Sequence, residues 1–188
     1  MSIQKGKRDP ISVYHAMIVT SEDYVERRAR CRQAHLERIL ELRNQGLVVA
    51  GGPAPDGRTA EIFYRGQQPS GVHELIEKDP YYLAGAWKSY RLRSFLEFVD
   101  PSELPPLVTD GSRRVTLVDG VALQADQVKR TLVGLREAGK LGLGGLFEGG
   151  GTLALLMTAD AAEAVGWLVE TACWREGNLS ARSFLYVL

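Results

Sequence analysis

The four residues RSFL occur twice in this chain, as Arg93–Leu96 and as Arg182–Leu185. They do not recur alone. LRNQG at Leu42–Gly46 overlies LREAG at Leu135–Gly139 with an offset of 93 residues, and the same offset carries Gly51-Gly52 onto Gly144-Gly145. The RSFL pair is offset by 89, so the second copy is about four residues shorter between those points. A helix end, a glycine pair and a closing strand repeat in one order, so the fold must accommodate two similar units.

Local patterning supplies the content of each unit. Val13–Val19 (VYHAMIV) is short and rich in β-branched and apolar residues and predicts a strand. A helix follows, with Thr20 and Ser21 as N-cap candidates, an apolar stripe through Leu36, Ile39 and Leu40, and Gly46 at its end. Leu47–Ala50 and Thr59–Tyr64 predict strands, with Gly51-Gly52-Pro53 as a tight turn between them. A shorter helix opens at Pro69-Ser70 and ends near Asp79-Pro80, because proline disfavours helical geometry in the residue before it. Tyr90–Val99 is the fourth strand. The order βαββαβ is the split pattern of ferredoxin-like folds. Prolines 101, 105 and 106 then mark a linker, and the pattern restarts: strand Arg114–Val118, helix Gln124–Ala138, strands Leu141–Leu146 and Thr152–Met157, a helix capped by Asp160 with Glu163, and strand Ser180–Leu188. The expected division is 11–99, linker 100–112, and 113–188. The fold class is α+β, with two ferredoxin-like units.

Composition narrows the function classes. Lysine plus arginine equals aspartate plus glutamate at 23 each, so no overall field favours nucleic acid or an anionic membrane surface. No apolar run approaches the length of a membrane span, and MSIQKGKRDP is polar, so a cytoplasmic protein is expected. Cys31 and Cys173 stand outside any disulfide framework or metal-binding spacing, so two thiols and no metal are expected. The glycine stretches lack both GxxxxGK[ST] and GxGxxG, and no GxSxG occurs, so neither a nucleotide cofactor nor a serine nucleophile is indicated.

All three histidines, His15, His35 and His73, lie in the first half. Chemistry that needs a group titrating near neutral pH is therefore centred there. From pattern alone, the ordinary reading of His35 is a boundary histidine bonded to a backbone carbonyl. Asp79 reads as a helix-terminating turn residue, His15 as packing against a helix, and His73 as solvated. Tyr81, Tyr82 and Trp87 either wall a pocket or pack in the core.

The run RARCRQAHLERILELRNQGLVVAGGP followed by EKDPYYLAGAW resembles the YciI-like (YCII-related) family. It does so through the Arg-x-x-His-Leu helix, the Gly-Pro turn and the Asp-Pro element in that order. The resemblance covers about residues 13–99. It implies the dimeric α/β-barrel type of ferredoxin-like fold and a histidine–aspartate pair as the active site, here His35 and Asp79. The second half departs from the pattern, since Val128 overlies His35 and Thr171-Ala172 overlie Asp79, which implies a degenerate copy. In this family two subunits pair sheet to sheet; two units on one chain imply an intrachain pseudo-dimer. The sequence leaves further homo-oligomer formation open.

The functional expectation is a cofactor-free lyase or isomerase, dehydrochlorinase-like in its proton transfer, acting on a small anionic or aromatic molecule. His35 is the acid or base, Asp79 orients it, Arg28 and Arg32 hold an anionic group, and Gly52, Pro53 and Tyr81 complete the binding surface. The alternatives are a noncatalytic metabolite-binding protein and a structural or assembly module.

Overall fold

The computed structural model describes residues 12–97, 108, 110, 112–147 and 149–186. The expected linker over 100–112 therefore lies outside the described residues, apart from Val108, Asp110 and Ser112. The first unit comprises β1 (Ser12–Thr20), α1 (Tyr24–Asn44), β2 (Val48–Pro53), β3 (Thr59–Gly66), α2 (Pro69–Glu77), α3 (Pro80–Leu83) and β4 (Trp87–Glu97). The second comprises β5 (Arg114–Val121), α4 (Val128–Glu137), β6 (Leu141–Phe147), β7 (Gly151–Leu156), α5 (Ala161–Val169) and β8 (Leu179–Leu185).

Every strand pairing is antiparallel, and the order is β2-β3-β1-β4-β6-β7-β5-β8. Each unit thus makes a four-stranded sheet, and the β4–β6 ladder joins the two. At the other end β8 packs against β2, so the sheets curl back on one another. Among the described residues no backbone ladder joins that second seam.

Side-chain alternation along the strands sorts the core into three layers. On the inner face Val13, Phe63, Val115, Leu117, Leu153 and Leu155 pack together, and this cluster draws on both units. On the outer faces each unit packs its own helices. Tyr14, Ala16, Ile18 and Ile62 meet α1 through Ile39 and Leu42. Val118, Ala154 and Leu156 meet α4 and α5 through Leu132, Leu135 and Leu168.

The LRNQG and LREAG segments do the same work. Gly46 and Gly139 take positive φ of 74° and 71°, the left-handed geometry that glycine adopts without strain. In each, the glycine N–H and the next N–H bond back into the last helical turn: Gly46 to Arg43 and Leu47 to Leu42, then Gly139 to Arg136 and Lys140 to Leu135. The arginine of each motif also reaches the following strand, Arg43 to the Val49 carbonyl and Arg136 to the carbonyls of Leu141 and Gly142.

Four expectations are corrected. Helix α1 begins at Tyr24 rather than after Thr20-Ser21, because the Thr20 hydroxyl donates to the Gly57 carbonyl and caps no helix. Gly51 and Gly52 are extended residues inside β2; the turn falls later, where Gly57 has φ of 69°. Strand β4 starts at Trp87, three residues before Tyr90. The helix expected over 124–138 is a turn of 3-10 helix at Ala125–Gln127 followed by α4.

Candidate active site

His35 sits in mid-α1 on the stripe of Tyr24, Ile39 and Leu42 that faces the sheet, and is 7% exposed. Its partner is a side chain from a distant turn, which corrects the backbone-carbonyl reading. His35 Nδ1 lies 2.8 Å from Asp79 Oδ1. Asp79 is fully buried between α2 and α3, where it also caps α3 by accepting the Tyr81 N–H at 2.8 Å on the same oxygen. An oxygen that already accepts a backbone N–H calls for a donor from the imidazole. Nδ1 therefore carries the ring proton, and Nε2 is left as the basic nitrogen.

The imidazole is held on its faces as well. It stacks on Tyr81 with ring centroids 3.8 Å apart and an interplanar angle of 12°, and Trp87 meets it edge-on at 5.5 Å. Burial pushes the Tyr81 phenol up to about 12, so this ring is a neutral platform at physiological pH. Burial also raises Tyr24, whose ring packs edge-on to Tyr81. Among the described residues Nε2 makes no hydrogen bond.

His35 opens onto a cavity of about 160 Å³ between α1 and the outer face of the first sheet. Arg28 and Arg32, two turns and one turn N-terminal of His35 respectively, line it along with Gly52 and Pro53 of β2 and Tyr81. Every expected binding residue therefore borders this one space, and Asp79 stands behind His35. Tyr82 does not: it packs edge-on against Tyr90 on another side of α3. Tyr24, Ala60, Ile62 and Trp87 add apolar wall. Asp110 and Leu185, from beyond the first unit, also reach it. No local signal marks these two, because their approach depends on how the units close together. Two guanidiniums face one carboxylate, so the lining carries a net positive charge.

The other histidines lie elsewhere. His73 is exposed and bonded to the Tyr90 hydroxyl at 2.6 Å. His15 faces the interior between the sheets and not a helix. It stacks on Phe63 at 4.7 Å, with Nε2 bonded to Glu61 and Nδ1 accepting from Arg93 at 3.1 Å. Arg93 also donates to Asp119 at 2.7 Å, Asp119 accepts from Arg182, and Arg182 closes the ring by donating to both Glu61 oxygens. Burial lowers His15, which both neighbouring arginines reinforce against the pull of Glu61. Burial alone would raise Glu61, but its bonds from Arg182 and His15 outweigh burial and hold it down to about 2. Both His15 nitrogens are occupied, so this ring ties the units together and offers no free base. Among the described residues no group of three or more His, Cys, Asp or Glu could hold a metal ion.

Residues 13–96 match the YCII-related domain family. The match takes in α1, Asp79 and the whole cavity wall of the first unit. Comparison with curated proteins gives no match. Among solved structures, a proposed monooxygenase from Lactobacillus acidophilus aligns over 95% of each chain with a TM-score of 0.62 at 6% identity. A second proposed monooxygenase, from Fusobacterium nucleatum, covers 95% of this chain and 93% of its own with a TM-score of 0.57 at 6% identity. A heme-binding protein from Thermus thermophilus covers 95% and 94% with a TM-score of 0.54 at 11% identity. At such identities these likenesses establish the fold, the ferredoxin-like α+β architecture of the dimeric α/β barrels, and that architecture spans both units. No helix of the described residues is long and apolar enough to cross a membrane.

Proposed function

We propose that the chain is a small-molecule enzyme of the lyase or isomerase type, in which His35 Nε2 moves a proton to or from a substrate held in the first unit's cavity. The observation that carries this reading is the His35–Asp79 contact of 2.8 Å behind an imidazole whose second nitrogen makes no hydrogen bond among the described residues and whose ring lines a cavity. Asp79 fixes the tautomer and stabilises the ring when it becomes cationic. Arg28 and Arg32 hold an anionic group, a carboxylate or phenolate, in the planar forks that suit such oxygens. A cavity of about 160 Å³ is close to the roughly 150 Å³ that accommodates one benzene-sized ring, so the substrate is a single-ring or comparably small molecule. The chemistry assigned to these residues needs no cofactor.

The unit over 11–99 carries the site, and 113–188 is a degenerate tandem copy that completes the barrel, with 100–112 between them. The shared helix-stop geometry and the two RSFL strands support that division. Two free thiols, Cys31 and Cys173, support a reducing, cytoplasmic setting.

The test is turnover of a panel of hydroxylated aromatic acids and lactones. His35→Ala and Asp79→Asn are each expected to lower the rate by about 10² to 10⁴ while the protein stays folded. Wild-type turnover in both variants would overturn the mechanism. Tight binding of panel members with no turnover by the wild type would favour the noncatalytic metabolite-binding protein instead.

A further inference from the structure

We infer that the second unit sets the size limit of the first unit's site, through Leu185 on β8. The inference rests on the reading of that cavity as a ligand site. Strand β2 is the edge of the first sheet, and it offers the cavity only Gly52 and Pro53, with no large side chain. An edge without further cover would leave the space under α1 open at the side. β8 packs along the outside of β2 and supplies what β2 lacks.

Alternation along β8 decides which residue does this. Arg182 points inward, to Glu61 and Asp119, and Tyr186 is fully buried in the interior cluster. Leu185, of opposite parity, faces the helix layer of the first unit and lines the cavity. The bonds from Arg182 to Glu61 hold β8 beside the first sheet from within, and Leu185 closes the cavity from without. The equivalent residue of the first RSFL, Leu96, pairs with Leu146 across the hydrogen-bonded seam and is 63% exposed. Identical motifs thus place one leucine over a cavity and the other in solvent.

The experiment measures binding of benzoate and 1-naphthoate to the full chain by calorimetry, for wild type, Leu185→Ala, Leu185→Phe and, as control, Leu96→Ala. A single methylene group in an apolar pocket shifts selectivity by roughly 10- to 200-fold. Leu185→Ala is expected to move the naphthoate-to-benzoate affinity ratio up by about tenfold or more, and Leu185→Phe to weaken benzoate by about tenfold. Leu96→Ala is expected to leave the ratio unchanged, and circular dichroism to show all four proteins folded. An unmoved ratio in the Leu185 variants, an equal shift in Leu96→Ala, or failure of both acids to bind any of the proteins would overturn the inference. The catalytic reading fails separately: if the ratio shifts as expected while no turnover depends on His35, the wall stands and the chemistry does not.

Discussion

The ring of His15, Glu61, Arg93, Asp119 and Arg182 predicts an acid-sensitive stability whose carboxylate part Glu61→Gln should abolish. Glu61 is 7% exposed, and its carboxyl falls from an ordinary 4.5 to about 2 in the folded protein. At roughly 1.4 kcal/mol per pH unit this corresponds to about 3 kcal/mol. A carboxyl lowered by folding contributes fully above its unfolded value, and the contribution is lost as pH falls through the folded one. The window is therefore pH 4.5 down to about 2. Glutamine keeps the shape but removes the charge, so it imitates the protonated acid. Urea denaturation at pH 7 should find Glu61→Gln less stable by about 3 kcal/mol, a sizeable part of the ~5–15 kcal/mol that holds a domain together. Repeated toward pH 2, the difference between wild type and variant should shrink toward zero, whatever other carboxyls titrate in both. Because His15 is also lowered, from 6.5, its contribution is intact above that pH and decays below it. Wild type should therefore begin to lose stability near pH 6.5, before Glu61 titrates. A difference between wild type and Glu61→Gln that stays constant from pH 7 to pH 3 would refute the coupling of this carboxylate to Arg182 and His15.

Cutting the chain between Pro105 and Pro106 should yield halves that aggregate alone and reassociate when mixed, since the interior cluster draws Phe63 from one and Leu117 from the other; two stable monomers in sedimentation would contradict this. Gly120→Ala should cost about 1–3 kcal/mol in thermal denaturation, because a Cβ there would lie 2.8 Å from the Asn178 carbonyl oxygen; an unchanged melting temperature would show that the turn can yield. A ligand of the cavity should titrate at one per chain, because Val128 stands buried in α4 where His35 stands in α1; a second equivalent site would show the site placed in too few copies.

Periodicity made the element order readable, because alternation and helical stripes report which residues share a face. It does not report what lies across that face. His15 was visible as one face of a strand, yet whether a helix or a second sheet covers it depends on how two units close, and Leu185 and Asp110 eluded sequence reasoning for the same reason. Gly51-Gly52 read as a turn because glycine permits one, whereas neither residue uses positive φ and only the ladder with Glu61 and Ile62 reveals them as strand. His35 and Asp79 are within reach only through a resemblance, since a separation of 44 positions leaves no spacing signal between them.

The twice-written RSFL shows how one motif can carry a shared role and an unshared one. The arginines need each other's unit: Arg93 reaches across to Asp119, and Arg182 across to Glu61, so the four charges balance only when both strands are present. Replacing Arg182 leaves the buried Glu61 carboxylate short of a partner, and replacing Arg93 does the same to the half-buried Asp119, so either change should loosen both halves together. The leucines carry no such reciprocity, because one faces solvent and the other a cavity that exists in a single unit. The inward arginines therefore occur in both units, where closing the barrel needs them, while the His–Asp pair occurs in only one, as the proposed degenerate second copy would require.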